Sequence, residues 1–219
     1  MYNKLLLVGA GGHCRSVIDS INYVQYSDIG IVDLPEMVGK NIFSIPIVGT
    51  DEDIESLFEK GYHQAIITLG SVGNPDKRIK LYHKLKLIGF QFPKIIDSTA
   101  IVSQISVEMA DGVFVGKGVI INTGVKLGTC AIINSGAIID HDCEIGQFVH
   151  IGPGVRMSGG IHIQDNVHVG IGSSMIQSIS VGRDSIIGAG SVVVSDIEEG
   201  VIAFGIPCRV YHKGNEVAI

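Results

Sequence analysis

From Met109 to Val193 every sixth residue is aliphatic. The series is Met109, Val115, Ile121, Leu127, Ile133, Ile139, Ile145, Ile151, Met157, Ile163, Val169, Met175, Val181, Ile187 and Val193. In a chain that is 46% hydrophobic, fifteen successive hits arise by chance about once in 10⁵. Neither the 3.6-residue period of an α-helix nor the alternation of a lone strand produces it. A six-residue period predicts a parallel β-helix, each unit one short strand and one turn. Three units close a triangular coil, so the array predicts about five coils.

The neighbouring phases agree. Two residues before each aliphatic position stand Val107, Val113, Val119, Val125, Ala131, Ala137, Cys143, Val149, Val155, Ile161 and Val167, mostly small or β-branched, as a crowded interior needs. Three residues after it, glycine recurs at 112, 118, 124, 136, 154, 160, 172 and 190, which predicts turns of positive φ. That phase is broken at Asp142.

Before residue 95 the pattern changes to short apolar runs alternating with helical spacing. Met1 to Val8 reads as a first strand leading into Gly9-Ala10-Gly11-Gly12-His13, followed by helical spacing from Cys14 to about Val24. Ile29 to Val32 and Ala65 to Leu69 read as further strands. Thr50 is placed to cap a helix over residues 51–60, and Asn74-Pro75 to start another that ends at Gly89. This order predicts a small Rossmann-like α/β domain over residues 1–96, then a β-helix with a C-terminal cap over 97–219.

Composition narrows the function. A net charge of −6 with no Lys/Arg run argues against nucleic acid. No apolar run is long enough for a membrane span. Four cysteines without CxxC spacing, in a chain with no export-signal pattern, suggest reduced thiols and a cytoplasmic location.

Candidate chemistry gathers at two places. Gly9 to His13, Asp33, and Gly70-Ser71 fall at the carboxyl ends of successive parallel strands, where open α/β sheets bind ligands. Cys14 occupies the third glycine position of a dinucleotide fingerprint, which disfavours NAD. In the coils, His141 lies between Asp140 and Asp142 on a turn, one coil from Thr123 and Gly159. It reads either as a general base or as a solvated turn residue. His150 and His168 differ by eighteen residues and stack on one face, with His162 on a neighbouring face. A zinc site of the β-helical carbonic anhydrase type is disfavoured, because the close HxxxxH pair is absent. The Gly205-Ile206-Pro207-Cys208-Arg209 segment leaves the hexad and turns the chain away.

Taken together, the hexad array, the Gly-Ile-Pro-Cys-Arg tail, the Gly-Ala-Gly-Gly-His loop and the Ile-Asp-His-Asp segment resemble the bacterial sugar acyltransferases of the left-handed β-helix type. The nearest group is the two-domain nucleotide-amino-sugar N-acetyltransferases, including the bacillosamine and perosamine enzymes; sialic acid O-acetyltransferases share the layout. The resemblance implies a homotrimer with acetyl-CoA, the co-substrate, bound between neighbouring β-helices, and no metal. It implies His141 as general base and Asp142 as the acid that supports it. It places His150 at the thioester end, Ile171 and Ala189 along the pantetheine arm, and Gly205, Ile206, Pro207 and Arg209 at the nucleotide end of CoA. Gly11, Gly12 and His13 match a loop touching the nucleotide-sugar, Asp33 a base contact and Gly70 a phosphate-side contact. The expected reaction is direct N-acetylation of a nucleotide-linked amino-deoxy sugar for surface glycan synthesis, with no cysteine nucleophile. The alternatives are O-acetylation of sialic acid or its CMP form, and a non-catalytic sugar-nucleotide-binding trimer. Cys14, Ile96-Asp97-Ser98 and Ser71 to Pro75 depart from the family pattern and leave the nucleotide and sugar open.

Overall fold

The computed structural model describes residues 3–213; Met1, Tyr2 and residues 214–219 lie outside the described residues. The chain divides into two compact units. One holds residues up to 70 together with 76–95, the other residues 71–75 together with those from 96 onward. The division near residue 96 follows the change of period. The assignment of Ser71–Pro75 to the coil unit does not follow from the pattern.

The first unit carries β1 (Asn3–Val8), α1 (Gly12–Ser20), β2 (Tyr26–Val32), β3 (Asn41–Ile42), β4 (Ile45–Gly49), α2 (Ile54–Glu59), β5 (Gln64–Ile67) and α3 (Asp76–Ile88). The sheet order is β3-β4-β2-β1-β5, parallel except for the β3–β4 hairpin. Central β1 has Leu5, Leu6, Leu7 and Val8 all essentially inaccessible, which is why it reads as an unbroken apolar run rather than an alternating one. Boundaries shift where side chains compete for the backbone. Helix α1 stops at Ser20, four residues before the expected end. Beyond it the Asn22 side chain accepts the Val24 N–H and starts a short 3₁₀ turn. Thr50 does not cap α2; it donates its N–H and hydroxyl to the Asp53 carboxylate at 2.8 and 3.0 Å, and the helix begins at Ile54. The β3–β4 hairpin is an addition to the expected elements. Its Pro46 stands opposite Asn41 of the edge strand β3, while β4 meets β2 through Ile47 and Gly49.

The second unit is a parallel β-helix with three faces. The first face stacks the residue pairs 101–102, 120–121, 138–139, 156–157, 174–175 and 192–193. The second stacks 108–109, 126–127, 144–145, 162–163 and 180–181. The third stacks 114–115, 132–133, 150–151, 168–169 and 186–187. From residue 108 onward each pair bonds to the pair eighteen residues on, as in Ile120 with Ile138 and His150 with His168. From Met109 onward the second residue of each pair belongs to the aliphatic series, and from Val115 to Val193 these are 0–4% exposed. Burying each is worth roughly 1.5–3 kcal/mol, which only stacking makes available.

The interior small-residue phase continues into the last coils with Ser173, Ser185 and Ser191, all fully buried. Each hydroxyl donates to a backbone carbonyl: Ser173 and Ser191 to Gly188, Ser185 to Glu198. A buried hydroxyl is acceptable there because it is satisfied. The turn phase also runs on without interruption. Positive φ occurs at the recurring glycines and equally at Cys130, Asp142, Phe148, Asn166, Ser178 and Asp184. Asp142 (φ +59°) thus breaks the composition of the phase but not its conformation. The left-handed conformation costs a non-glycine residue roughly 1–2 kcal/mol.

After the last hexad, the strand Val201–Phe204 extends the third face and pairs antiparallel with Arg209–Lys213. Gly205–Arg209 forms the reversal and is tied to the coil by Cys208 N–H to Val192 O at 2.8 Å and Gly205 N–H to the Ser191 hydroxyl at 3.2 Å. Among the described residues no helix is long and apolar enough to cross a membrane.

Candidate active site

His141 stands on the corner that joins the first face to the second, between the pairs 138–139 and 144–145. Its ring is largely in solvent and lies over Gly159 of the next coil, where a Cβ would meet the ring atoms Cε1 and Nε2 at 2.5 Å. A side chain there would push the ring aside. Asp142 holds the ring from the other side, Nδ1 to Oδ2 at 2.9 Å. The left-handed backbone of Asp142 lays its carboxylate over Gly124 of the preceding coil, where a Cβ would stand against Asp142 Oδ1.

Asp140 takes a different part. Its Oδ1 accepts the His141 backbone N–H and the Asn122 amide, both at 2.8 Å, which holds its own carboxyl below the usual range. The His141 pKa is raised, first by the hydrogen bond to Asp142 and then by the charge of Asp140. Nδ1 therefore carries the proton that Asp142 binds, and Nε2 is the free basic atom. An open groove of about 570 Å³ lies against this corner, lined by Asp140, His141, Asp142, Ser158, Gly159 and Gln177 among others.

His150 and His168 lie one coil apart on the third face, rings edge to face with centroids 5.0 Å apart. Both are mostly covered. His150 donates from Nδ1 to the Ser71 carbonyl at 2.8 Å, and its Nε2 lies 3.4 Å from the Asn134 amide nitrogen. The Asn134 amide is oriented by its own oxygen, which accepts the Ser135 N–H at 2.8 Å. His162 is on the second face beside Glu144, which also bonds to Lys126 at 2.7 Å. Among the described residues no three His, Cys, Asp or Glu side chains converge as a metal site.

Ile171 and Ala189 follow the third-face pairs 168–169 and 186–187. They therefore share a different corner, between the third face and the first, with the Gly205–Arg209 reversal continuing the column. Ile171 and Ile206 are exposed there, and Arg209 donates to the Cys208 carbonyl. One chain thus brings Ile171, Ala189 and the tail together, with His150 on the adjoining face. It does not bring them to His141, which stands on the corner at the other edge of the first face.

In the first unit Gly11 and Gly12 have open space where a Cβ would stand, and Gly70 packs against His13. These residues gather at the carboxyl ends of β1 and β5. Asp33 follows β2 directly, but its carboxylate is already used: Oδ2 accepts the Ala10 N–H and Oδ1 the Leu34 N–H. It shapes the glycine loop directly. Thr68, not anticipated, closes the same edge by donating to the Gly9 carbonyl at 2.5 Å. Cys14 is fully buried and burial pushes its thiol up to about 11, so it packs as an apolar residue in the third glycine position. Cys143 is likewise interior, with its thiol raised by burial. Neither offers a nucleophile.

Residues 4–85 match the family model described as the PglD N-terminal domain. Over the whole chain, the fold is similar to a perosamine N-acetyltransferase from Caulobacter crescentus, solved as a histidine mutant with CoA and GDP-perosamine. That match has a TM-score of 0.88 and 32% identity, and covers 97% of this chain and 99% of that one. The acetyltransferase domain of PglB from Neisseria gonorrhoeae FA1090, solved with acetyl coenzyme A, is similar at TM-score 0.88 and 30% identity, over 96% and 100% of the two chains. A curated galactoside O-acetyltransferase from Lactococcus lactis is 44% identical over 45 residues, 20% of this chain. The chain spans about a fifth of the length of such curated relatives, here 22%.

Proposed function

The chain belongs to the hexapeptide-repeat sugar acetyltransferases, and from that membership we propose that it transfers the acetyl group of acetyl-CoA to the amino group of a nucleotide-linked amino-deoxy sugar. The observation that carries the reading is the His141–Asp142 pair on an open corner above Gly159. It supplies one oriented base with its free nitrogen facing a groove. In this reading His141 Nε2 takes the amine proton as the nitrogen attacks the thioester carbonyl, and the thiolate of CoA leaves. Asp142 stabilises the imidazolium. The Gly159 amide, next to the ring, is the oxyanion donor in the same reading. No acyl-enzyme is required, because Cys143, next to the pair in the chain, is interior.

The donor residues and the base stand on different corners of one coil, so the reading needs two copies. Ile171, Ala189 and the 205–209 tail of one protomer would face His141 of its neighbour. The first face, which lies between these corners, supports this packing. Its outward residues Ile101, Ile120, Ile138 and Val192 leave it apolar, with Arg156 its one charge. The second face instead carries Glu108, Lys126, Glu144 and His162. A closed trimer about the first face satisfies both requirements.

CoA-thiol release from acetyl-CoA tests the reading, with GDP-perosamine, 4-amino-4,6-dideoxy sugars linked to UDP or dTDP, and sialic acid with its CMP form as acceptors. Turnover on an amino sugar is expected. Turnover on sialic acid alone would replace N- by O-acetylation. Silence on every acceptor would favour a non-catalytic binding trimer.

A further inference from the structure

His141, Gly159 and Gln177 succeed one another on the same corner, each eighteen residues from the last. Stacked strands lie about 4.8 Å apart, so Gln177 stands two such steps from His141 with only a glycine between. The His141 ring occupies the space over Gly159, and Gln177 lines the same groove from the far side. Elsewhere on the turns the coil itself uses the carboxamides. Asn122 donates to Asp140 and Asn166 to Asp184, each at 2.8 Å, and Gln164 accepts the Arg183 N–H at 3.1 Å. Each of these bonds reaches a residue about one coil on. For Gln177 the residue one coil back is Gly159, which has no side chain to meet. Among the described residues the exposed Gln177 side chain has no hydrogen-bond partner. It presents both a donor and an acceptor to the groove that holds the His141 ring.

The direction of the donor decides what that carboxamide meets. A β-helix advances along its axis with the sequence, and Ile171, Ala189 and the 205–209 tail all follow Gly159. A donor with its thioester over the Gly159 amide and its nucleotide at the tail therefore passes the level of Gln177. In parallel protomers about a threefold axis levels are shared, so Gln177 falls between the levels of Ile171 and Ala189 across the groove. The first polar group of CoA beyond the sulfur is a secondary amide. The S–CH2–CH2–N link before it spans about one strand spacing, the step from Gly159 to Gln177. A carboxamide at that level can donate to the carbonyl of this amide or accept from its N–H.

We propose that Gln177 binds the donor: its carboxamide hydrogen-bonds the pantetheine amide nearest the thioester, opposite the Ile171–Ala189 corner of the neighbouring protomer. This rests on the reading of His141 as the base and of the groove as shared by two protomers. The base corner then contributes to holding acetyl-CoA as well as to deprotonating the acceptor.

The test uses the full-length protein and Gln177→Met, which keeps the length of the side chain and removes both hydrogen-bonding groups. Calorimetric titration with CoA needs no acceptor; Kd should rise about 5-fold or more. Adenosine 3′,5′-bisphosphate, the nucleotide end without the pantetheine arm, should bind within about 2-fold of its wild-type affinity. In turnover the loss of kcat/KM should appear in KM for acetyl-CoA, with the acid limb of the pH profile unmoved because His141 is intact. An unchanged Kd for CoA overturns the proposal. Equal weakening of CoA and the bisphosphate also overturns it, because the loss would not come from the pantetheine arm. A raised KM for the sugar nucleotide with CoA affinity unchanged overturns it as well and moves Gln177 to the acceptor. If His141→Asn keeps its kcat, the reading of the base fails, and the two titrations still decide whether Gln177 holds the arm.

Discussion

The two units carry their candidate functional groups in opposite ways. In the coil, the fold is specified by the inward positions, and chemistry occupies positions the period does not need: His141 and Asp142 on a turn, His150 and His168 on an outward face. Changing these should leave the aliphatic column intact. In the α/β unit, the candidate groups sit at strand ends where the chain leaves regular structure, and they also build the loops they occupy. Asp33 binds the Ala10 and Leu34 amides, and Thr68 binds the Gly9 carbonyl. The repeat separates stability from function residue by residue; the doubly wound edge does not.

The largest test of that separation is His141→Asn. It should lower kcat by about 10²–10⁴-fold, with thermal unfolding unchanged, because the side chain is exposed and touches no core residue. A second inactive variant, Ala189→Arg, should block the other corner. If the chain assembles as the proposed trimer, mixed and reassembled oligomers of the two should regain about a quarter of the wild-type activity. In random assembly one site in four would pair an intact His141 with an intact donor corner of its neighbour. No recovery would show that one chain holds the whole site.

Glycines sharpen the comparison within the coil itself. A Cβ at Gly170 would stand 2.5 Å from the Ala189 backbone nitrogen, so Gly170→Ala must shift one coil against the next. It should cost about 2–4 kcal/mol, read by chemical denaturation. A Cβ at Gly159 meets the His141 ring at the same 2.5 Å, but a side chain can yield. Gly159→Ala should change stability by less than about 1 kcal/mol and lower kcat about 10–100-fold through a displaced base. Equal stability losses in the two variants would defeat the claim that the turn positions are free for function.

This also explains what could be read from the amino-acid order. The period of six places His150 over His168 and His141 over Gly159 by arithmetic, because eighteen residues return the chain to the same face. It marks Asp142 as an exception to glycine. It does not reveal that Asp142 keeps the glycine conformation, since φ is set by the stacked turns above and below. Ser71–Pro75 carries no period, so its attachment to the coil leaves no trace in the pattern. The β3–β4 hairpin is hidden for a related reason: Ile45-Pro46-Ile47-Val48 is too short and too proline-broken to read as a strand until β2 provides a partner. Serines 173, 185 and 191 look polar in isolation. They become interior only once the carbonyls of neighbouring coils are in place to receive them.

The smallest expected effect is a shift in pH dependence, and it probes the same corner without removing it. In the proposed reaction His141 acts as a base only when Nε2 is unprotonated. Its pKa is raised in the folded protein, so activity should be complete well above the ordinary histidine value and fall as pH drops through that raised value. The first cause of the shift is the hydrogen bond to Asp142, with the charge of Asp140 next. Asp142→Asn keeps the shape and removes the charge. The acid limb of kcat/KM should therefore move to lower pH, while the plateau falls because a less basic histidine is also a weaker proton acceptor. Asp140→Asn should move the limb the same way by a smaller amount. Its carboxylate is engaged with the Asn122 amide and the His141 backbone and acts on the ring only through space. If Asp142→Asn lowers the plateau with the limb fixed, Asp142 orients the ring and does not tune it. The two roles are separable because the limb follows the proton affinity of the free enzyme and the plateau follows the transition state.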